Sequence, residues 1–180
     1  MGSIYRDNSN NRVLLYDNKN VLLDSERYCT GTTYGGGVVF YTRSGCTHGL
    51  IAATQDIVGA PGAPWGCDGT LIGTSTSIGS GLQNSINIYN NCSTAGIAAR
   101  LCLDWSFSGY TDWYLPSKDE LTSMCLMADI IGGFNKSAAY WSSSERSTEP
   151  ARVAWFYYWG SGYSSDYKYF QENVRAIRQF

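Results

Sequence analysis

The chain has 180 residues and a formal net charge of -2, with 20 glycines, 14 tyrosines and 16% charged residues. This length fits one domain with a hydrophobic core, and the near-neutral charge argues against a surface for nucleic acid or anionic membrane. We therefore expect no nucleic-acid partner. No apolar run approaches the roughly 20 residues that cross a bilayer, so we also expect no membrane insertion.

The N-terminal segment predicts a β-hairpin. Two apolar runs in residues 12–23 flank the turn-forming residues 17–20. Because this hairpin precedes a Gly-rich stretch, we interpret residues 1–30 as an arm that could make the protein a homo-oligomer, and residues 31–180 as the main domain. The first residues lack the apolar segment of a secretory signal.

The next elements are two strands and a long loop. Residues 38–42 and 50–54 are rich in β-branched, aromatic and small apolar side chains, which predicts strands. Residues 59–81 are dominated by Gly, Ser, Thr and Pro, which predicts a loop. Loops of this length are uncommon in compact domains unless they are functional or held in place.

Helices are predicted in the middle of the chain. "GLQNSINIYNN" is a short amphipathic candidate, and "STAGIAARLCLDW" is a second, with Ser93 or Thr94 as its cap. In "LPSKDELTSMCLMADIIGG", Ser117 and Glu120 have the spacing of a capping box, and Gly132 supplies the stop. We interpret this third helix as scaffold.

The last third of the chain returns to strands. "AYWSSSE", "RVAWFYYWG" and "YFQENVRAIRQF" are separated by Ser- and Gly-rich turns. Early strands, central helices and late strands are typical of an α+β fold. We expect the first and last segments to pair and to bring the termini together.

The six cysteines are widely spaced, without a C-x-x-C pair or a Cys/His cluster, which argues against a zinc site. One or two disulfides in an oxidising setting are compatible with the sequence, but it does not choose among the 15 full pairings. Cys125, on a predicted helix face, is a candidate buried free thiol.

The residues offer little for catalysis. The only histidine, His48, precedes a predicted strand, and we interpret it as a structural residue at a strand edge. No nucleophile elbow, zinc-protease, phosphate-loop or dinucleotide motif is present. We therefore expect a non-enzyme without a metal or cofactor.

The most unusual stretch is "WFYYWGSGYSSDYKYF", residues 155–170, in which nine of sixteen residues are aromatic. Tyr, Ser and Gly together are the usual mixture of antibody binding loops. Alternate aromatics of a strand can instead fill a core. We assign Trp155, Tyr157 and Trp159 to the core and most of residues 163–169 to a displayed surface.

Motifs from residue 35 to the end occur in an order that resembles a known family. They are "GGGVVFYT", "HGLIAAT", "STAGIAARLC", "GYTDWYLPSKDEL", "IGGF", "YWSSSE" and "VRAIRQF". The chain resembles the C-type-lectin-like domains at the C-terminus of collagen-like adhesins and the variable proteins diversified by retroelements. The match spans about four-fifths of the sequence.

The resemblance implies a C-type lectin-like fold with two main helices, a small mixed or antiparallel sheet and long loops. It implies a variable region at about residues 140–173, altered at adenines of the gene and held by fixed positions. The implied scaffold residues are Trp141, Trp155, Trp159, Gly160, Gly162, Val174, Arg175 and Arg178. The implied ligand-binding residues are Arg146, Ser147, Thr148, Phe156, Tyr158, Ser161, Tyr163, Ser164, Ser165, Asp166, Tyr167 and Tyr169. Lys168 interrupts this run and is compatible with a fixed position.

The resemblance leads us to expect a hypervariable binding protein on a virion or cell surface, with a protein or glycan ligand on a target cell. An invariant adhesin-type domain that binds polysaccharide or glycosaminoglycan is the alternative. An enzyme of the formylglycine-generating branch would need a reactive cysteine pair near the C-terminus, where there is none. Calcium-mediated sugar binding is not expected, because residues 148–152 read "TEPAR" and no W-N-D run follows.

Overall fold

A computed structural model describes residues 3–7, 12–16, 27–157 and 160–180 of the chain. The predicted α+β class is confirmed: in this described part, three β-sheets combine with four helices. The prediction had one small sheet, whereas the structure has three separate sheets in its described part. The core lies between the two larger sheets and the helices.

The N-terminal sheet has three antiparallel strands in the order β1-β2-β3. They are β1 (Ser3–Asp7), β2 (Arg12–Tyr16) and β3 (Arg27–Tyr28). The first strand of the predicted hairpin is β2, and it pairs with β1 on one side and β3 on the other. The second arm of that hairpin, residues 21–23, lies outside the described residues.

A four-stranded sheet has the order β12-β6-β5-β4. Its strands are β4 (Thr33–Tyr34), β5 (Gly37–Arg43), β6 (His48–Ala53) and β12 (Ile177–Gln179). Both predicted strands of this region are confirmed. Among the described residues, the last strand pairs with the early strand β6 and not with β1, β2 or β3 of the N-terminal segment. Phe180 then packs edge-on against the rings of Tyr28 and Tyr34.

A five-stranded sheet has the order β10-β9-β8-β11-β7. Its strands are β7 (Val58–Pro64), β8 (Ala139–Glu145), β9 (Pro150–Tyr157), β10 (Gly160–Tyr167) and β11 (Gln171–Val174). The β8 and β11 pair is parallel and the others are antiparallel. Strand β7 corrects the prediction of an uninterrupted loop over residues 59–81. Its two prolines are tolerated because it is an edge strand.

The helices are α1 (Gly81–Asn91), α2 (Ala98–Leu103), α3 (Lys118–Leu126) and α4 (Ala128–Ile131). The capping box at Ser117 and Glu120 is confirmed, and Gly132 ends α4 at a φ of 75°. Two details of the prediction are wrong. Helix α2 begins at Ala98 after the buried Ile97, so neither Ser93 nor Thr94 caps it. The third helix breaks at Met127 into α3 and α4.

Two buried clusters form the core. One contains the fully buried tryptophans Trp65, Trp113 and Trp141 with the inner faces of α1 and α2. The other lies between α3 and the four-stranded sheet, and includes Leu121 and Met124. Both clusters include residues from the start of β8: Ala139 and Trp141 belong to the first cluster and Tyr140 to the second.

Two disulfides add covalent links, Cys29 to Cys46 and Cys67 to Cys92. Cys102 is buried and free, and burial raises the pKa of its thiol. Cys125 is also free, as expected, and burial raises its pKa to about 12. Paired cysteines are typical of a protein that matures in an oxidising environment, such as the cell exterior. In the described part of the chain, no helix is long and apolar enough to span a membrane.

Candidate functional site

Three segments meet at one end of the five-stranded sheet. The turn of residues 146–149 joins β8 to β9, and the turn of residues 168–170 joins β10 to β11. The Lys168 amide donates to the Glu149 carbonyl oxygen over 2.9 Å. From the long loop, the amides of Trp65 and Gly66 donate to the Lys168 carbonyl oxygen, and the amide of Gly69 donates to the Thr148 carbonyl oxygen. Backbone bonds therefore fix these three segments relative to one another.

Three aromatic side chains project from this end of the sheet. Tyr167, Tyr169 and Phe170 are 46%, 56% and 41% exposed. The two tyrosine rings stack with centroids 5.5 Å apart, and the Phe170 ring meets them edge-on at 5.7 and 4.8 Å. These three residues form the aromatic corner. Their mutual contacts leave a large apolar surface in contact with solvent, which is the composition of a binding hot spot.

Lys168 lies in sequence between the two exposed tyrosines, yet its side chain is fully buried. Its Nζ donates to Glu145 Oε1 at 2.6 Å and to the Thr70 carbonyl oxygen at 2.7 Å. The same Nζ lies 4.5 Å from the centroid of the Trp65 ring, a cation–π contact. The residue between the two tyrosines in sequence thus attaches this turn to the core.

Glu145 connects this ion pair to the long loop. Its carboxylate accepts hydrogen bonds from the amides of Ile72 and Gly73 at 2.9 and 2.8 Å. Two other buried side chains hold the rest of the loop. Asn84 bonds both the amide and the carbonyl oxygen of Ser75, and Glu120 accepts from the Gly79 amide. The part of the predicted loop that is not strand is therefore held in place by side chains of the core.

A cavity of about 430 Å³ lies beside the aromatic corner. It is lined by Arg146, Ser147, Glu149, Pro150, Ser165 and Tyr167. We call it the polar cavity, since its lining includes one side chain of each charge and three hydroxyl groups. Its size is within the range of sites that bind a small group rather than a large flat surface.

Two carboxyl groups, Asp166 and Glu172, hydrogen bond to each other near the same turn. Partial burial raises the pKa of Glu172 to about 7, and the neighbouring Asp166 charge adds to the effect. Burial also raises the pKa of Asp166, while its hydrogen bond with Glu172 acts in the opposite direction. The pair therefore holds a proton at pH values where isolated carboxyl groups are ionised.

The predicted ligand-binding residues fall into three groups. Residues with exposed side chains in the two turns or on β10 are Arg146, Ser147, Thr148, Ser164, Tyr167 and Tyr169. Ser165 and Asp166 are half-buried. For Phe156, Ser161 and Tyr163 the structure describes the strand backbone, and Tyr158 lies outside the described residues.

Among the predicted scaffold residues, Trp141, Val174 and Arg175 are buried. Arg178 and Gly162 are half-buried. Trp155 and Gly160 lie on the described backbone of β9 and β10, and Trp159 lies outside the described residues. Arg175 donates to Asp56 and to the carbonyl oxygens of Ala53, Gly132 and Gly133.

Sequence reasoning missed several residues of this surface. Glu145 and Trp65 hold Lys168, and Phe170 completes the aromatic corner. Glu149 contributes a negative charge to the lining of the polar cavity. The sequence showed only that Lys168 interrupts an aromatic run. Its partner lies 23 positions away, in a segment interpreted as a strand.

His48 is exposed at the first residue of β6, with Nδ1 at 3.0 Å from the Thr47 hydroxyl. In the described part of the chain, no group of three His, Cys, Asp or Glu side chains has the arrangement of a metal site.

Comparisons with known proteins give little further information. No family model and no curated protein matches the chain. Among solved structures, the chain is similar to a fimbrial protein from Bacteroides ovatus ATCC 8483, with 18% identity and a TM-score of 0.49. The similarity covers 74% of this chain and 36% of that one, so this chain spans about a third of the fimbrial protein's length. A likeness at this level carries no argument about function.

Proposed function

We propose that this chain is a non-enzymatic ligand-binding protein of C-type lectin-like fold, displayed outside the cell or on a virion. Its binding surface is the end of the five-stranded sheet that carries the aromatic corner and the polar cavity. Within the proposal, this surface is hypervariable and diversified by a retroelement, and the ligand is a protein on a target cell.

One observation carries the proposal: the exposed rings of Tyr167 and Tyr169 flank in sequence a lysine that a buried ion pair fixes to the core. Ring surface that is fixed before binding loses little side-chain entropy when a partner covers it. The neighbouring serines and the polar turn supply adaptable hydrogen bonds. The separation of exposed variable candidates from a hydrogen-bonded frame is also what diversification requires.

The stacked rings of Tyr167 and Tyr169 favour one alternative. A flat pair of aromatic faces can also receive the apolar face of a sugar ring. An invariant adhesin-type domain that binds polysaccharide or glycosaminoglycan would use the same rings for this purpose.

The test is a parallel screen of the purified protein on an array of cell-surface proteins and an array of glycans. The matched variant is Tyr167→Ser with Tyr169→Ser, which keeps Lys168. We expect a protein target whose affinity falls at least about tenfold in the variant, while the melting temperature stays nearly unchanged. Signals on glycans alone would favour the alternative. Equal binding signals from the parent protein and the double tyrosine variant would contradict the proposed surface.

The diversification claim has a separate test in the coding DNA. We expect an imperfect repeat near the gene that differs from its 3′ end only at adenines, beside a reverse transcriptase gene. Absence of such a repeat would contradict diversification and favour an invariant binding domain.

A further inference from the structure

A second cavity, of about 190 Å³, lies on one face of the four-stranded sheet. In one row of its lining, Leu50 on β6 lies opposite Tyr41 on β5 and opposite Gln179 on β12. In the next row, Arg43 and His48 lie opposite each other. Side chains two residues apart on a strand share a face, so all five point to the same side of the sheet. We call this the basic cavity, and it shares no lining residue with the polar cavity.

Two basic side chains lie side by side in this cavity. Arg43 and His48 are both exposed, so a solute reaches them without a rearrangement of the core. Like charges opposite each other on neighbouring strands repel, and an anion between them relieves this repulsion. Among the described lining residues, no acidic side chain supplies that counter-charge.

The guanidinium of Arg43 is oriented but largely unused. Its Nε donates to the Tyr41 hydroxyl at 3.2 Å, and in the described part of the chain its two terminal nitrogens have no acceptor. A guanidinium donates two parallel hydrogen bonds to the oxygens of a carboxylate or a similar oxyanion. Arg43 is therefore available for such a pair.

His48 adds a further donor once its ring is protonated. The Thr47 hydroxyl donates to the Ser44 carbonyl oxygen at 3.0 Å, so it accepts from Nδ1 of His48, which is also 3.0 Å away. With Nδ1 carrying a hydrogen, Nε2 donates only in the positively charged ring. An anion beside Nε2 therefore favours the protonated form of His48.

Two oxygen acceptors near the lining are already bonded. Oε1 of the fully buried Glu120 accepts from the Gly79 amide at 2.8 Å. The Phe180 carbonyl oxygen accepts from the Gly49 amide at 3.2 Å, beside the paired strands β6 and β12. Among the described residues, no carboxylate forms an ion pair with either basic side chain of the cavity. These basic groups are therefore open to an anion from solution.

Much of the remaining lining is apolar. Leu50 is buried beneath the cavity, the Tyr41 ring is half-buried, and Ile78 of the long loop contributes a further apolar side chain. The volume is below the usual range for drug-sized ligands, so it suits a single ring better than a peptide or a sugar chain. Apolar surface of a ring that enters this space is removed from water, which is favourable.

We propose that the basic cavity binds a small organic anion, namely an apolar ring that carries one carboxylate or sulfate group. The anionic oxygens accept from the terminal nitrogens of Arg43 and from Nε2 of His48, and the ring packs against Leu50 and Ile78. Carboxylate and sulfate groups share this chemistry, a single negative charge spread over oxygen atoms. The inference does not depend on the proposed function, because none of these residues belongs to the aromatic corner or the polar cavity.

The experiment uses the full chain with ¹³C-labelled histidine. His48 is the only histidine, so its ring C–H resonances need no further assignment. Benzoate, phenyl sulfate and the neutral benzamide are titrated at one pH and one ionic strength, because salt screens exposed charges. We expect at least one anion to shift the His48 resonances in a saturable way toward those of the protonated ring. Its binding should be at least about tenfold tighter than that of benzamide, and the tighter anion identifies the preferred group.

Two variants that each remove one positive charge separate the site from the net charge. Arg43→Gln should weaken binding of the preferred anion at least about tenfold, because it removes the paired donors. Lys118→Gln is the control, since Lys118 pairs with Asp119 and does not line the cavity. We expect its affinity to equal that of the parent. Arg43 is exposed, so the melting temperature of Arg43→Gln should match that of the parent.

Several results would overturn the inference. One is the absence of a saturable shift with either anion, and another is equal affinity for benzoate and benzamide. Equal losses in Arg43→Gln and Lys118→Gln would mean that only the net charge matters. Equal affinity for inorganic sulfate and phenyl sulfate would show that the apolar part of the lining makes no contribution.

Discussion

Lys168 shows how a single residue couples a binding surface to the core. Its neighbours in sequence are about half exposed, whereas its own side chain has no accessible surface. Taking an ammonium out of water costs several kcal/mol unless hydrogen bonds and an opposite charge offset it. Glu145, the Thr70 carbonyl oxygen and the Trp65 ring supply these contacts. The direction of the flanking tyrosines therefore depends on a buried ion pair.

Lys168→Met tests this dependence. Removing the ammonium leaves the Glu145 carboxylate buried without its counter-charge, so we expect a loss of about 3–5 kcal/mol in the free energy of unfolding. The double variant Lys168→Met with Glu145→Gln should lose less than the sum of the two single variants. Urea denaturation of the four proteins measures the coupling.

Lys136→Met is the matched control. Lys136 pairs with Asp129 at the same 2.6 Å, but the Asp129 side chain is 85% exposed. A surface pair is worth about 0–1 kcal/mol, so this variant should be nearly as stable as the parent. Similar losses at Lys136 and Lys168 would mean that burial does not set the strength of the ion pair.

Glu172 gives a prediction about pH. Burial raises its pKa from an ordinary 4.5 to about 7, so the folded protein binds more protons than the unfolded chain between these values. The stability from this group is present below the unfolded pKa and is lost as the pH rises through the folded one. We expect the free energy of unfolding of Glu172→Gln to fall less steeply than that of the parent as the pH rises from 4.5 to about 7.

Denaturation at several pH values, with Glu149→Gln as an exposed control, measures the difference. Carboxyl ¹³C chemical shifts of Glu172 give the pKa directly. Parallel stability curves for the parent and Glu172→Gln would contradict the prediction.

At the scale of elements, the start of α3 ties the long loop to the core. The Ser117 hydroxyl accepts from the Glu120 amide and donates to the Ser77 carbonyl oxygen at 2.8 Å. The Glu120 carboxylate accepts from the amides of Ser117 and Gly79. One capping box thus begins a helix and holds the loop that precedes α1.

Ser117→Ala should therefore cost about 1–2 kcal/mol of unfolding free energy, at the upper end for a helix cap. Ser93→Ala is its control, since Ser93 is exposed and lies ahead of a helix that it does not cap. We expect no measurable change for Ser93→Ala in the same urea titration. A cost at Ser93 equal to that at Ser117 would show that the two serines have equivalent roles.

The comparison of these two serines explains what the sequence could predict. The capping box is local: both partners lie within four residues, and the pattern identified it. The start of α2 depends on Ile97 entering a core built from distant strands, so the nearby Ser93 and Thr94 gave the wrong cap. Strand β7 was missed for the same reason, because it is defined by pairing with β11, more than 100 residues later.

At the scale of the whole molecule, the frame and the displayed residues use different parts of the C-terminal segment. Arg175 is buried against Asp56, and three carbonyl oxygens from two other segments accept from its guanidinium. Arg178 forms a two-bond pair with Asp112 and lies 3.9 Å from the Tyr110 ring centroid. The family resemblance predicted a scaffold role for both arginines, but their partners became visible only in the fold.

This separation predicts that many exposed changes cost less than one buried change. A variant with serine or asparagine at six exposed positions should melt within about 5 °C of the parent, since surface substitutions are individually close to neutral. These positions are Arg146, Ser147, Thr148, Ser164, Tyr167 and Tyr169. Arg175→Met alone should lower the melting temperature by about 10 °C, because it leaves the Asp56 carboxylate and several carbonyl oxygens without their partner.

Differential scanning calorimetry of the parent, the six-position variant and Arg175→Met measures the three melting temperatures. Near-ultraviolet circular dichroism checks that the six-position variant keeps its packed core. Trp65, Trp113 and Trp141 are fully buried, whereas the six changed side chains are exposed, so the tryptophan signal should be retained. If the six exposed changes melt the protein as far as Arg175→Met does, the displayed residues are part of the frame. A surface of that kind could not be diversified without unfolding the domain, and the invariant adhesin would become the better account.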